Sequence, residues 1–182
     1  MQARRRRPVR RRTGHFLRRR NLVVLAVMLL VAAVALRSWG GATGSYPVVA
    51  VVDGDTVKVR MGGGVESVRL IGIDAPEAAT SGRPAQCFGL DSSAKAGELL
   101  AGKAVRLEFD ESQGRLDRYG RLLAYVWIDD VHINALMVRQ GYAREFTYNL
   151  PYRYQAEFKA AEAEARAAGR GLWAADTCGG RL

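Results

Sequence analysis

The chain has 182 residues, 48% of them hydrophobic, and a formal net charge of +10, enough for one buried core plus an appendage. The charge is local: residues 1–45 hold 11 Arg and no acid, whereas residues 46–182 hold 17 Lys and Arg against 18 Asp and Glu, a net charge of −1. The basic balance is therefore no sign of a nucleic-acid groove on the domain. With only two histidines, His15 in the basic tail and His132, a histidine-based metal or nucleophile site is not expected either.

Residues 1–20 form an Arg-rich tail, and residues 21–37 a transmembrane or signal segment. The run LVVLAVMLLVAAVAL at 22–36 is uncharged and directly preceded by Arg18, Arg19 and Arg20, the flank pattern of a membrane-targeting segment. It is short for a span of ~20 residues, but a snorkelling Arg37 and an interfacial Trp39 lengthen it. The long arginine-rich lead favours an anchor, while Ala33-Val34-Ala35 offers a cleavage site. Arginines held inside put the domain outside the cytoplasm. The expectation is a single-pass cell-membrane protein with an extracytoplasmic domain, or one secreted after cleavage. Such a compartment makes a disulfide between Cys87 and Cys178 the expected state, worth about 4–5 kcal/mol for so long a loop. The alternative is two buried thiols.

Residues 38–46, SWGGATGSY, read as a Gly-rich linker, and the domain as 47–178, with 179–182 a C-terminal tail. Residues 48–52 and 56–60 are β-rich and flank Asp53-Gly54, a hairpin signal in which both turn residues take positive φ. Gly62, Gly63 and Gly64 mark a second turn before a strand at 65–73. Residues 78–89 read as a loop. Asp91-Ser92-Ser93 suits a helix start, and the helix runs through Ala101. A strand at 105–109, a polar turn at 110–120 and a strand at 122–128 follow. Helices are predicted at 133–140, closed by Gly141, and at 154–168. His132 falls in a turn after Asp129-Asp130. Five short strands with about three helices make an α+β fold around a small barrel, of which a five-stranded OB barrel is one solution.

Asp55 opens a strand, where Asp is a poor strand former. Arg69 lies inside an apolar strand, Asp74 at its end, and Pro76 forces Ala75 extended, leaving Glu77 just past a rigid corner. Arg121 opens the strand after the Asp117-Arg118-Tyr119-Gly120 turn. Taken singly, these read equally well as turn and surface residues. Together they form a set. Two aspartates and a carbonyl suit a hard cation such as Ca²⁺, two guanidiniums match phosphate oxygens, and a glutamate accepts a proton from water. Such a set suits phosphodiester hydrolysis, because the transition state gains negative charge that a cation and arginines stabilise.

The succession DGDTV, VRLIGIDAPE, DRYGRLLAYV and MVRQGYA, with the late GLW, resembles the staphylococcal nuclease-like thermonucleases over roughly 48–175. The resemblance implies an OB barrel with three helices. It places Ca²⁺ ligands on Asp55, Asp74 and the carbonyl of Ala75, and phosphate-binding catalytic arginines on Arg69 and Arg121. It makes Glu77 the catalytic carboxylate. Ala75 replaces the Thr of the family prototype, and only its backbone oxygen is wanted. The stacking aromatic falls nearest Tyr148, with Phe146 and Tyr152 as rivals. The resemblance implies a Ca²⁺-dependent nuclease acting on DNA and RNA, single strands preferred, with 3′-phosphate products; the targeting segment puts it outside the cytoplasm, and a monomer is expected. The alternative is an inactive OB module that binds nucleic acid or protein, which has no need of the acids and arginines together.

Overall fold

The computed structural model describes residues 44–79 and 82–181. The expected tail, the segment 21–37 and most of the linker lie outside them, as does His15. Among the described residues no helix is long and apolar enough to cross a membrane.

Strands β1 (Ser45–Val51), β2 (Thr56–Met61) and β3 (Gly64–Leu70) form an antiparallel meander. Two short strands and one long one follow: β4 (Ile73–Asp74), β5 (Ala104–Glu108) and β6 (Leu122–Ile128). β5 pairs with β1 and β6 with β5, both antiparallel, and β6 meets β3 in parallel register, Val68 opposite Leu122. That last pairing closes a five-stranded barrel, as the OB expectation requires. Alternation fills it: Val57, Val59, Val68, Leu70, Val105, Leu107, Leu122, Ala124 and Val126 are buried, because period 2 sends every second side chain inward. A short β7 (Val131–His132) extends β6, and β8 (Arg144–Glu145) pairs with β4.

Three helices cover the barrel: α1 (Gly89–Leu100), α2 (Ile133–Arg139) and α3 (Gln155–Ala167). Tyr125 is therefore buried although it alternates outward on β6. Buried Asn134 bolts α2 to the barrel, accepting from the Val126 N–H at 2.9 Å and donating to the Ile71 carbonyl at 2.9 Å.

Several local expectations give way to tertiary contacts. The first strand begins at Ser45, so the end of the expected linker pairs with β5. The strand expected at 65–73 breaks after Leu70. Gly72 has φ +78, and a Cβ there would lie 2.5 Å from the Tyr152 ring, so the chain bends and β4 leaves the barrel to pair with β8. Helix α1 starts at Gly89 after Phe88, which has positive φ and gives no side-chain cap. His132 lies not in a turn but in β7, buried and stacked on Trp127 at 4.1 Å. Cys87 and Cys178 are bonded, with Cα atoms 5.9 Å apart and 91 residues between them in sequence. No cysteine is free.

Candidate active site

The site is assembled where the β1–β2 turn, the β3–β4 bend and the start of β6 meet. In the turn, the Val52 N–H donates to the Thr56 carbonyl at 2.9 Å and the Asp53 carboxylate caps the Asp55 N–H at 3.0 Å. Neither Asp53 nor Gly54 has positive φ, contrary to the hairpin expectation. Gly54 is needed for a different reason. A Cβ there would lie 2.1 Å from Ser92 Oγ and 2.6 Å from Ala75 Cβ, so only glycine lets the turn sit against α1 and the Ala75 corner.

That closeness buries Asp55, which is 5% exposed. Its Oδ2 accepts from the Ala75 N–H at 2.8 Å and meets Arg69 Nη2 at 3.0 Å, and its Oδ1 accepts from Thr56 Oγ1 at 3.0 Å. Burial disfavours the ionised carboxylate more than Arg69 and the Ala75 N–H favour it, and its pKa rises to about 7.

Arg69 is the hub. Its Nη1 donates to the carbonyls of Leu70 (3.0 Å) and Ile73 (2.8 Å), clamping the β3–β4 bend. Its Nη2 faces Asp55 and, at 3.5 Å, Asp74 Oδ1. The other oxygen of Asp74 takes a fork from Arg144, at 2.9 Å to Nε and 2.6 Å to Nη2. Arg144 was not singled out from sequence. Past Pro76, Glu77 is exposed. Partial burial and the nearby Asp53 and Asp74 charges raise its pKa against the pull of Arg69, the direction that suits a proton acceptor.

Arg121 approaches from β6. Its Nε is held by Asp117 Oδ2 at 2.7 Å, and Nη1 lies 3.3 Å from Thr56 Oγ1. Thr56 thus links Arg121 to Asp55 through one hydroxyl, a role the sequence did not disclose. Arg121 Nη2 makes no hydrogen bond among the described residues.

Arg69 and Arg121 line a groove of about 390 Å³, which also takes in Tyr119, Phe146, Tyr148 and Leu150. Tyr148 and Tyr119 are 63% and 67% exposed. Tyr152 is not a rival: it is buried, and its hydroxyl donates to Glu145 Oε1 at 3.0 Å, with the Gly72 carbonyl 3.2 Å away. Tyr119 reads as part of an ordinary turn in sequence, but the guanidiniums of Arg118 and Arg121 lie 4.7 and 5.4 Å from its ring centre. Its only sequence signal is an aromatic flanked by two arginines of one turn.

Among the described residues no three His, Cys, Asp or Glu side chains converge as a metal cage. The expected ligand set is smaller, two carboxylates and one main-chain oxygen, all hard donors. It fits a divalent cation: the buried Asp55 carboxylate and Asp74 both reach the single Nη2 of Arg69, at 3.0 and 3.5 Å, so two carboxylates converge beside the Ala75 corner and would offer an added cation hard oxygen donors.

The family profile described as "Staphylococcal nuclease homologue" matches residues 67–175. The chain is 32% identical over 155 residues to the thermonuclease of Staphylococcus hyicus, covering 84% of this chain and 90% of that one. It is 37% identical over 129 residues to the thermonuclease of Staphylococcus intermedius, covering 71% and 76%. It is 38% identical over 123 residues to the SPbeta prophage-derived endonuclease YokF of Bacillus subtilis (strain 168), covering 67% of this chain but only 41% of that protein.

Proposed function

The chain belongs to the staphylococcal nuclease homologues and is a nuclease hydrolase of the thermonuclease type, and from that premise we propose a Ca²⁺-dependent enzyme that cleaves DNA and RNA outside the cytoplasm, single strands preferred. The observation that carries this reading is the meeting of Asp55, Asp74 and Arg69 in one ion-paired cluster, with Arg121 joined to it through Thr56. A binding module that had lost activity would have no use for a buried carboxylate held at that cost.

In this reading Asp55, Asp74 and the Ala75 carbonyl hold the ion, which supplies Lewis-acid stabilisation of the phosphate when bound. The free Nη2 edge of Arg121 meets a phosphate oxygen. The Nη2 edge of Arg69 turns to the phosphate once the two carboxylates are otherwise neutralised. Tyr148 takes a base by stacking. Glu77 accepts a proton as a water oxygen forms its bond to phosphorus. The bond to the 5′-oxygen breaks, that oxygen takes a proton from solvent, and a 3′-phosphate remains. The chain acts as a monomer.

The test is hydrolysis of single-stranded DNA by the full-length chain with Ca²⁺ and with chelator, beside Glu77→Gln. Turnover should need Ca²⁺ and fall ~10²–10⁴-fold in the variant, with calorimetric affinity for a nucleotide diphosphate plus Ca²⁺ retained. Undiminished turnover in chelator would remove the metal role. Near wild-type turnover of Glu77→Gln would remove Glu77 as the base. The extracytoplasmic anchor rests on the Arg-flanked apolar run. Fractionation should find the full-mass chain in membranes, whereas a soluble form starting near residues 36–46 would mean cleavage.

A further inference from the structure

Glu77 lies past the end of β4, outside any strand or helix, and it is exposed. Its main chain is nevertheless held on both sides by a single residue. The Glu77 N–H donates to Gln86 Oε1 at 2.7 Å, and the Gln86 N–H donates to the Glu77 carbonyl at 2.9 Å. Gln86 is itself fixed. Its carbonyl accepts from the Gly89 N–H at 3.0 Å at the head of α1. Gly89 packs so closely on Glu77 that a Cβ there would lie 2.1 Å from the Glu77 carbonyl oxygen. The next residue, Cys87, is bonded to Cys178. Cys178 is buried in a C-terminal segment tied back by the Gly179 N–H to the Ala174 carbonyl at 3.0 Å and the Gly180 N–H to the Leu172 carbonyl at 2.8 Å. Leu172 is fully buried, so the tie ends in the core.

We propose that Gln86 is a positioning residue for Glu77, and that the Cys87–Cys178 bond holds Gln86 in place, so that turnover depends on a link outside the phosphate site. This rests on Glu77 being the base. The physical ground is that a carboxylate must meet its water within a few tenths of an ångström, and misplacement by about 1 Å costs on the order of 10²-fold in rate. The exposed Glu77 side chain takes its position from its backbone, and two hydrogen bonds to one anchored residue, beside the close approach of Gly89, fix that backbone. Gln86 carries no charge, so its effect on Glu77 is geometric.

The test uses the full-length chain and four variants: Gln86→Met, Gln86→Glu, Cys87→Ser with Cys178→Ser, and Glu77→Gln. Gln86→Met keeps length and the disulfide but removes the acceptor. Its kcat on single-stranded DNA should fall about 10- to 100-fold, with KM, nucleotide affinity and the urea midpoint unchanged, because the side chain is exposed. Gln86→Glu restores an acceptor for the Glu77 N–H and should recover most of the rate. The double serine variant should lose kcat to a similar extent, with a lower urea midpoint as well. Wild-type kcat in Gln86→Met, or no recovery in Gln86→Glu, overturns the positioning role. Wild-type kcat in the double serine variant overturns the part given to the disulfide and leaves it a stability device. If Glu77→Gln is inactive while Gln86→Met is not impaired, the base assignment stands and the positioning role alone fails. If Glu77→Gln is active, both fail.

Discussion

Replacing Asp55 by Asn in the metal-free protein separates what the buried charge does from what the buried side chain does. The carboxylate is 5% exposed, and burial lifts its pKa from the usual 3.8 to about 7 despite Arg69 at 3.0 Å. The folded value lies above the unfolded one, so folding favours the protonated form. Its contribution to stability is complete below about pH 4 and is lost as pH rises through 7. A displacement of this size corresponds to about 4 kcal/mol. Asn matches the neutral carboxyl in shape and does not titrate. In chelator, the stability of Asp55→Asn relative to wild type should therefore rise by about 4 kcal/mol between pH 4 and pH 8, read from urea unfolding followed by fluorescence. At pH 8, Ca²⁺ should close the gap by stabilising wild type and leaving the variant unchanged, since a ligand of the folded state alone adds stability by mass action. A stability difference that stays constant from pH 4 to pH 8 would refute the reasoning, and with it the claim that the site is built to take a cation.

His132 should act in the opposite sense over nearly the same range. Buried against Trp127, with neither ring nitrogen hydrogen-bonded, it has a pKa lowered by burial to about 4. Its contribution is present above about 6.5 and lost as pH falls through 4, about 3 kcal/mol in all. His132→Phe should abolish that acid limb in urea unfolding, and an unchanged limb would assign it elsewhere. The wild-type curve alone is a poor probe, because Asp55 and His132 nearly offset one another between pH 4 and 7. Gly54→Ala should destabilise by about 1–3 kcal/mol through overpacking against Ser92 and Ala75. Gly97→Ala, in α1 with nothing within 4 Å, should stabilise by up to ~1 kcal/mol. Equal effects at the two glycines, measured by thermal unfolding, would show that the close approach at Gly54 is not what fixes that residue.

Local chemistry made most of the framework legible. Alternation placed β6 at Leu122–Ile128 without error and β2 to within a residue, because a strand with one face in a barrel must repeat every two residues whatever its partner. The three helices were legible to within a few residues, the first from the polar start at Asp91-Ser92-Ser93, the second from its closing Gly141 and the third from its Ala- and Glu-rich run. The acids, the arginines and the order of four motifs pointed to phosphodiester chemistry and to the family before any contact was known. The two cysteines, taken with the inferred compartment, pointed to their bond. What the sequence left undecided depends on residues far apart in the chain. Thr56 and Arg121 are 65 positions apart and Arg144 and Asp74 are 70 apart, so no local pattern could join them. Gly54 looked like a turn glycine, and only the approach of Ser92 shows that it is a packing glycine. His132 followed two aspartates and looked solvated, until helix packing on the outer face of β6 buried it. Tyr148 and Tyr152 are equally aromatic and four residues apart. Packing against Tyr125 and Phe158 put the Tyr152 ring in the core and left the Tyr148 ring in the groove, since burial belongs to the assembled surface and not to the residue.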